Sequence, residues 1–146
     1  MEWQTIGSLA LTYGPNDEVV EFDEAGGGQV YGVLEGRLEV EGLTGTVHVT
    51  NTAPRRTDGI FEPTLRGVLT ASDGSKLYFR LDGLSVADPT PGSRRRTVLS
   101  TVRLRSRVPA YQEWNRAFLF HDGRGGPTGD SWGLTGPILR AIPKGP

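Results

Sequence analysis

Between Trp3 and Ile142 this chain repeatedly shows runs in which apolar residues occupy alternate positions, and no stretch sustains a 3.6-residue period. Side chains of a strand point alternately to its two faces, so this pattern predicts strands with one buried face. Gln29–Glu41 is the cleanest case. Val30, Leu34, Leu38 and Val40 share one face, and Glu35, Arg37, Glu39 and Glu41 share the other. Further strands are predicted over Trp3–Tyr13, Val19–Phe22, Thr46–Asn51, Thr64–Ala71, Lys76–Leu84, Arg94–Val108, Arg116–His121 and Trp132–Ile142. Glycine and proline are scattered through the whole chain, and the segments between strands are turn-like. They include the glycine run Gly26–Gly28, Gly42–Gly45, Ala87–Ser93 and the Gly-rich Asp122–Asp130. Only Ala110–Asn115 reads as a short helical turn.

Asp73-Gly74 stands between two alternating runs, which is the strongest short-range hairpin signal. Taken as the two central turn residues, they put Val68 opposite Phe79. Val68, Thr70, Leu77, Phe79 and Leu81 then gather on one face. Pro137 makes the last strand an edge or a bulged strand. The expectation is an all-β chain of eight to ten antiparallel strands. Long strands with short connections favour a closed, calycin- or lipocalin-like barrel over a sandwich.

A length of 146 residues fits one domain, 1–146, large enough to bury a core without staples. There is no cysteine, which excludes disulfides, zinc–thiolate sites and thiol nucleophiles and is compatible with a cytoplasmic protein. No apolar run approaches the roughly 20 residues that span a bilayer, and the start, MEWQTIGS, does not read as a signal peptide. The net charge of −1 hides an asymmetry. Residues 1–50 carry nine acids and one base, whereas residues 51–110 carry eleven bases and five acids. The arginine row Arg103, Arg105 and Arg107 is expected to face acids of the Glu35–Glu41 strand. That internal pairing argues against nucleic-acid binding, which wants an unpaired basic face.

The loop after Asn51 concentrates polar chemistry: Asn51, Arg55, Arg56, Asp58 and Glu62 fall within a dozen residues. Loops on a rigid sheet are where sites usually sit, although a solvated connection with internally paired charges has the same composition. Nicotinamide, flavin and P-loop fingerprints are absent, so no cofactor is expected. His48 and His121 are the only histidines and lack a recognisable ligand spacing or nucleophile motif, so no metal is expected either. Cofactor-free acid–base chemistry and plain binding remain. Asp58 and Glu62 are the candidate acid–base groups, and Arg56 or Arg55 the candidate clamp for an enolate or carboxylate. Asn51 and Asn115 are candidate carbonyl donors. Trp114, Tyr31 and Tyr78 are candidate stacking surfaces, each with core packing as the alternative. His48 completes the candidate ligand-binding set.

Several of these residues carry a family resemblance. Gly45-Thr46-Val47 precedes the polar loop. Asn51, Arg55, Arg56, Asp58, Gly59 and Pro63 follow, then Gly67, Asp73-Gly74, and Tyr111 through Asn115. Over roughly residues 3–122 the chain resembles the DUF3237 (UPF0311) family. The resemblance implies an antiparallel, calycin-like barrel, often dimeric, with no settled common activity. The family tends to place Trp-Leu just before the asparagine, and here Glu113-Trp114 stands there.

These readings converge on a barrel with a small-molecule pocket. The leading expectation is a cofactor-independent isomerase, cyclase or lyase acting on a hydrophobic or aromatic, carbonyl-bearing metabolite. The alternatives are a non-catalytic ligand-binding barrel and a structural, dimeric module. The loop Asn51–Glu62 and the segment Tyr111–Asn115 are expected to meet at one barrel mouth.

Overall fold

The structure is a computed structural model that describes residues 1–143. Ten antiparallel strands form one sheet: β1 (Glu2–Tyr13), β2 (Glu18–Glu21), β3 (Gly28–Val40), β4 (Leu43–Asn51), β5 (Pro54–Arg55), β6 (Thr64–Ala71), β7 (Lys76–Ala87), β8 (Arg96–Arg105), β9 (Leu119–Thr128) and β10 (Ser131–Ile142). A 3₁₀ helix, Pro109–Arg116, joins β8 to β9 and is the single helix among the described residues. Strand β1 pairs with both β10 and β3, so eight strands close into a barrel. Strands β2 and β5 are extra and both pair with the start of β3. The expected closed all-β barrel is therefore the observed architecture.

Alternation decides what is inside. Leu38, Leu69, Phe79, Leu81, Val102 and Ile138 are fully buried and belong to one continuous core. One end of the barrel is a mouth, where Tyr13, Asn51, Arg96 and Trp132 stand at strand ends. The 3₁₀ helix covers the other end. Its Trp114 is 1% exposed, packs into the core and lies under the Arg140 guanidinium, 5.3 Å from the ring centre.

Four local expectations change. The β6–β7 hairpin has a three-residue connection, Ser72-Asp73-Gly74. The Gly74 N–H bonds to the Ala71 carbonyl at 2.8 Å, and Gly74 takes φ +89°. Asp73 and Gly74 are thus the third and fourth turn residues, and the register slips by one: Val68 faces Tyr78 and Gly67 faces Phe79. A one-residue slip exchanges faces, so Leu65, Leu69, Leu77, Phe79 and Leu81 point inward while Val68 and Tyr78 point outward.

The Gly-rich segment after His121 continues β9 instead of looping. A Cβ on Gly125 would lie 2.0 Å from the Trp132 ring, so glycine here makes room for an aromatic ring inside a strand. Pro137 sits on β10, between β1 and β9 and not at an edge. The β9 ladder skips Gly136 and Pro137, and the irregularity opposite lies in β1 between Thr5 and Gly7.

The arginine row does not meet the Glu35–Glu41 strand. β8 pairs with β7 and β9, and Arg103 faces Arg80. Glu35 pairs with His48 and Glu39 with Arg37 instead.

Candidate functional site

The mouth holds a cavity of about 350 Å³. That is within the size range of small-molecule pockets. Its walls are mostly apolar: Val30, Leu34, Leu65, Phe61, Val98 and Leu134 contribute. Tyr13, Asn51, Ser85 and Arg96 add polar groups, and Asp17, Arg94 and Trp132 stand at the opening.

Asn51 ends β4 with an inward side chain, 5% exposed. Its Oδ1 accepts the Thr64 backbone N–H at 3.1 Å. A backbone N–H only donates, so this bond fixes which way the amide faces. Its Nδ2 therefore donates to the Tyr13 hydroxyl, at 2.6 Å. With a lone pair engaged by Asn51, the Tyr13 O–H proton is free to point toward the cavity. Burial pushes the Tyr13 pKa up, against the Asn51 bond, and the Asp17 charge pushes it the same way as burial. The phenol is a hydrogen-bond donor at physiological pH.

Arg96 opens β8 in the same inward row as Val98 and Ser100. Its Nε donates to Ser85 Oγ at 2.7 Å. Its Nη2 donates to the carbonyls of Ser85 (2.8 Å) and Gly59 (2.9 Å). Its guanidinium stacks on the Phe61 ring at 4.7 Å. Among the described residues no carboxylate pairs with it. Burial lowers its pKa, but an arginine remains charged in proteins. The cavity lining thus includes a positioned cation with no carboxylate partner among the described residues, and a phenolic donor. That pair is suited to an oxygen that carries or develops negative charge.

The residues singled out from sequence fall in three places. Asn51 lines the cavity. The polar loop folds over the mouth rim, where Phe61 bridges to Ser85, but its charges turn away. Arg56 pairs with Asp58 at 2.6 Å and Glu62 at 3.9 Å, all well exposed. Arg55 binds the Gly26 carbonyl and Glu21, stapling the glycine run to β5. His48 pairs with Glu35 at 2.7 Å on the outer surface, and Tyr78 is also outside. Tyr31 too is largely exposed. Trp114 and Asn115 are at the closed end, where Asn115 makes two 2.7 Å bonds to the Ser106 backbone. The loop and Tyr111–Asn115 therefore do not converge, because the helix follows the far end of β8 while the loop follows the mouth end of β4. Among the described residues no group of three His, Cys, Asp or Glu is placed to hold a metal.

Beneath the cavity lies His121, fully buried, with Ser100 directly across the β8–β9 pair. Ser100 Oγ has no hydrogen-bond partner among the described residues, and the His121 ring meets the Gly136 backbone only outside normal hydrogen-bond geometry. Burial pushes the His121 pKa down to about 4, with the Gly136 backbone and Asp122 opposing more weakly. The unfolded chain protonates first, so this stabilisation is complete above about pH 6.5 and is lost as pH falls toward 4. The expected loss by pH 4.5 is about 2–3 kcal/mol. Urea unfolding at pH 7 and 4.5 measures it, and a His121→Leu protein should lack that component of the slope.

Arg96, Ser100 and His121 were legible as oddities. Each polar residue occupies the inward parity of an apolar row, Arg96 and Ser100 with Val98, Val102 and Leu104, and His121 with Leu119. Tyr13 similarly continues the Leu9 and Leu11 row.

No protein-family model matches this chain, and no match is found among curated proteins. Solved structures do match. A conserved protein of unknown function from Rhodopseudomonas palustris, RPA1785, aligns over 97% of both chains at TM-score 0.78 and 12% identity. A beta-barrel like protein from Acinetobacter baumannii, ABAYE2633, aligns over 95% of this chain and 97% of its own, at TM-score 0.74 and 14% identity. The barrel is a shared fold. An enzyme from Penicillium herquei aligns over 94% of this chain and 93% of its own, at TM-score 0.62 and 17% identity. At these identities the likeness speaks to architecture alone. Among the described residues no helix is long and apolar enough to cross a membrane.

Proposed function

We propose that the mouth cavity binds a small hydrophobic or aromatic molecule through a carbonyl or carboxylate oxygen. The observation that carries this reading is Arg96, a half-buried cation in a mostly apolar wall with no acid paired to it among the described residues. Desolvating a charge without a partner is costly, and a ligand oxyanion offsets that cost. Tyr13 supplies a second donor to the same oxygen. The apolar walls take the body of the molecule.

The same groups support cofactor-independent acid–base chemistry of the isomerase, cyclase or lyase type. Tyr13 donates to the carbonyl oxygen, and Arg96 balances charge that develops there. Asp17, at the opening and without an ion-pair partner among the described residues, is the base. An enzyme among the structural neighbours is compatible with catalysis in such a barrel. Membership of the DUF3237 family, with dimerisation, is proposed on the same footing from the sequence resemblance.

The test uses 1-anilinonaphthalene-8-sulfonate, an aromatic anion whose fluorescence reports binding. Arg96→Met should weaken it about tenfold or more, the value of a charge-assisted hydrogen bond. Asp58→Asn and Glu62→Gln should stay within about twofold, since their carboxylates are solvated and paired with Arg56. Equal affinity in the Arg96→Met protein removes the proposal. Mass spectrometry of co-purifying molecules then names the class of ligand.

A further inference from the structure

We propose that Ser100 and His121, one inward position below the cavity-lining Val98 and its β9 partner Gly123, form a second polar subsite, which takes a hydroxyl at the end of the ligand remote from Arg96. This inference rests on the binding reading above. Its geometry is independent of Arg96. Ser100 faces His121 directly, both side chains point inward, and among the described residues their polar atoms make no well-formed hydrogen bond, the His121 ring meeting only the Gly136 backbone outside normal geometry. Burying polar atoms without good hydrogen bonds is unfavourable, so their presence in a largely apolar stretch of the core calls for a reason.

The histidine ring leans toward the mouth. A Cβ on Gly123, the next inward position of β9, would lie 2.7 Å from His121 Cε1 and 3.0 Å from Nδ1. The imidazole thus fills the space of the missing Gly123 side chain. Val98, opposite Gly123 on β8, lines the cavity, and so does Leu134, opposite Gly125 on β10. The ring therefore rises beside Val98, which already forms part of the cavity wall. Glycine also lies on the β7 side of Ser100. Gly83 is its cross-strand partner, and a Cβ there would meet Ser100 Oγ at 2.2 Å.

A neutral imidazole offers one donor and one acceptor, and serine offers both. That set matches a hydroxyl, which both donates and accepts, better than a second anion, which only accepts. Gly125, opposite Arg96, stands four residues from His121 along β9, roughly 13 Å of backbone. A bicyclic aromatic body suits that separation.

The experiment compares naphthalene-2-carboxylate with 6-hydroxynaphthalene-2-carboxylate by titration calorimetry. The wild-type protein should bind the hydroxylated acid about tenfold more tightly. Ser100→Ala and His121→Leu should each bring the two affinities within about twofold while preserving the affinity for the plain acid. Because a core variant can fail to fold, the wild-type comparison stands alone. It is paired with ¹⁵N shifts of the His121 ring, which should move with the hydroxylated acid only. Equal wild-type affinities with both acids bound overturn the second subsite and leave the Arg96 site intact. A preference that survives in the folded variants overturns it too. Failure of both acids to bind overturns the subsite together with the binding reading beneath it.

Discussion

Replacing Gly36 with valine is expected to cost about 3 kcal/mol or more, enough to unfold a marginal domain. Gly36 lies in the middle of β3, between Leu11 of β1 and Val47 of β4. A Cβ there would lie 1.8 Å from the Ala10 carbonyl oxygen and 2.9 Å from the Leu11 Cα. The obstacle is backbone, so no rotamer change relieves it. Relief requires β1 to move off β3, which breaks the seam that closes the barrel. Chemical denaturation measures the cost, and a loss under about 1 kcal/mol would show that the seam adjusts freely. Gly7, across the same seam, meets the Glu39 carbonyl in a similar way, with its ideal Cβ 1.9 Å from that oxygen.

Trp114→Ala is the second large effect. It should destabilise the protein by about 3–5 kcal/mol, the range for removing a large buried aromatic ring. Trp114 is 1% exposed, packs into the core from the 3₁₀ helix, and carries the Arg140 cation on its face. The same variant should bind 1-anilinonaphthalene-8-sulfonate as the wild type does, because the ring is at the opposite end from the cavity. Stability loss with unchanged affinity identifies Trp114 as the plug of the closed end. Lost affinity in a stably folded variant would return it to the ligand wall.

The two substitutions probe the two devices that give the barrel its shape. One is close approach at a seam, which keeps eight strands closed. The other is a helical cap on one end only. With that end filled, a cavity forms at the other, and Tyr13, Asn51, Ser85 and Arg96 become a site because their strands end there. Arg96 is held by Ser85, Gly59 and Phe61, groups from β7 and the rim loop. The rim loop therefore matters to the site as a support for Arg96, and its own charges do not enter the cavity.

Alternation along the chain was enough to dictate the strand pattern. Val30, Leu34, Leu38 and Val40 had to share a face because a strand has period two, and the same rule fixed the inward rows of β4 and β8. The sequence also showed that the chain is all-β with one helical turn near Ala110–Asn115. Register was decided elsewhere. Asp73-Gly74 signals a hairpin, but whether two or three residues connect the strands depends on which register buries Leu65, Leu69 and Phe79. The Gly-rich stretch after His121 became strand because Trp132 and His121 needed the space above Gly125 and Gly123, a demand from side chains on a neighbouring pleat. Of the candidate residues singled out in the sequence, Asn51 lines the cavity, and Tyr13 and Arg96 were visible there only as polar breaks in apolar rows. Arg55, Arg56, Asp58 and Glu62 stood out because charges were dense along the chain, whereas a cavity selects groups by the direction they point and the strand end they occupy. Which end is open follows from the long-range packing of the 3₁₀ helix against β8 and the core, a contact between segments that local pattern does not encode.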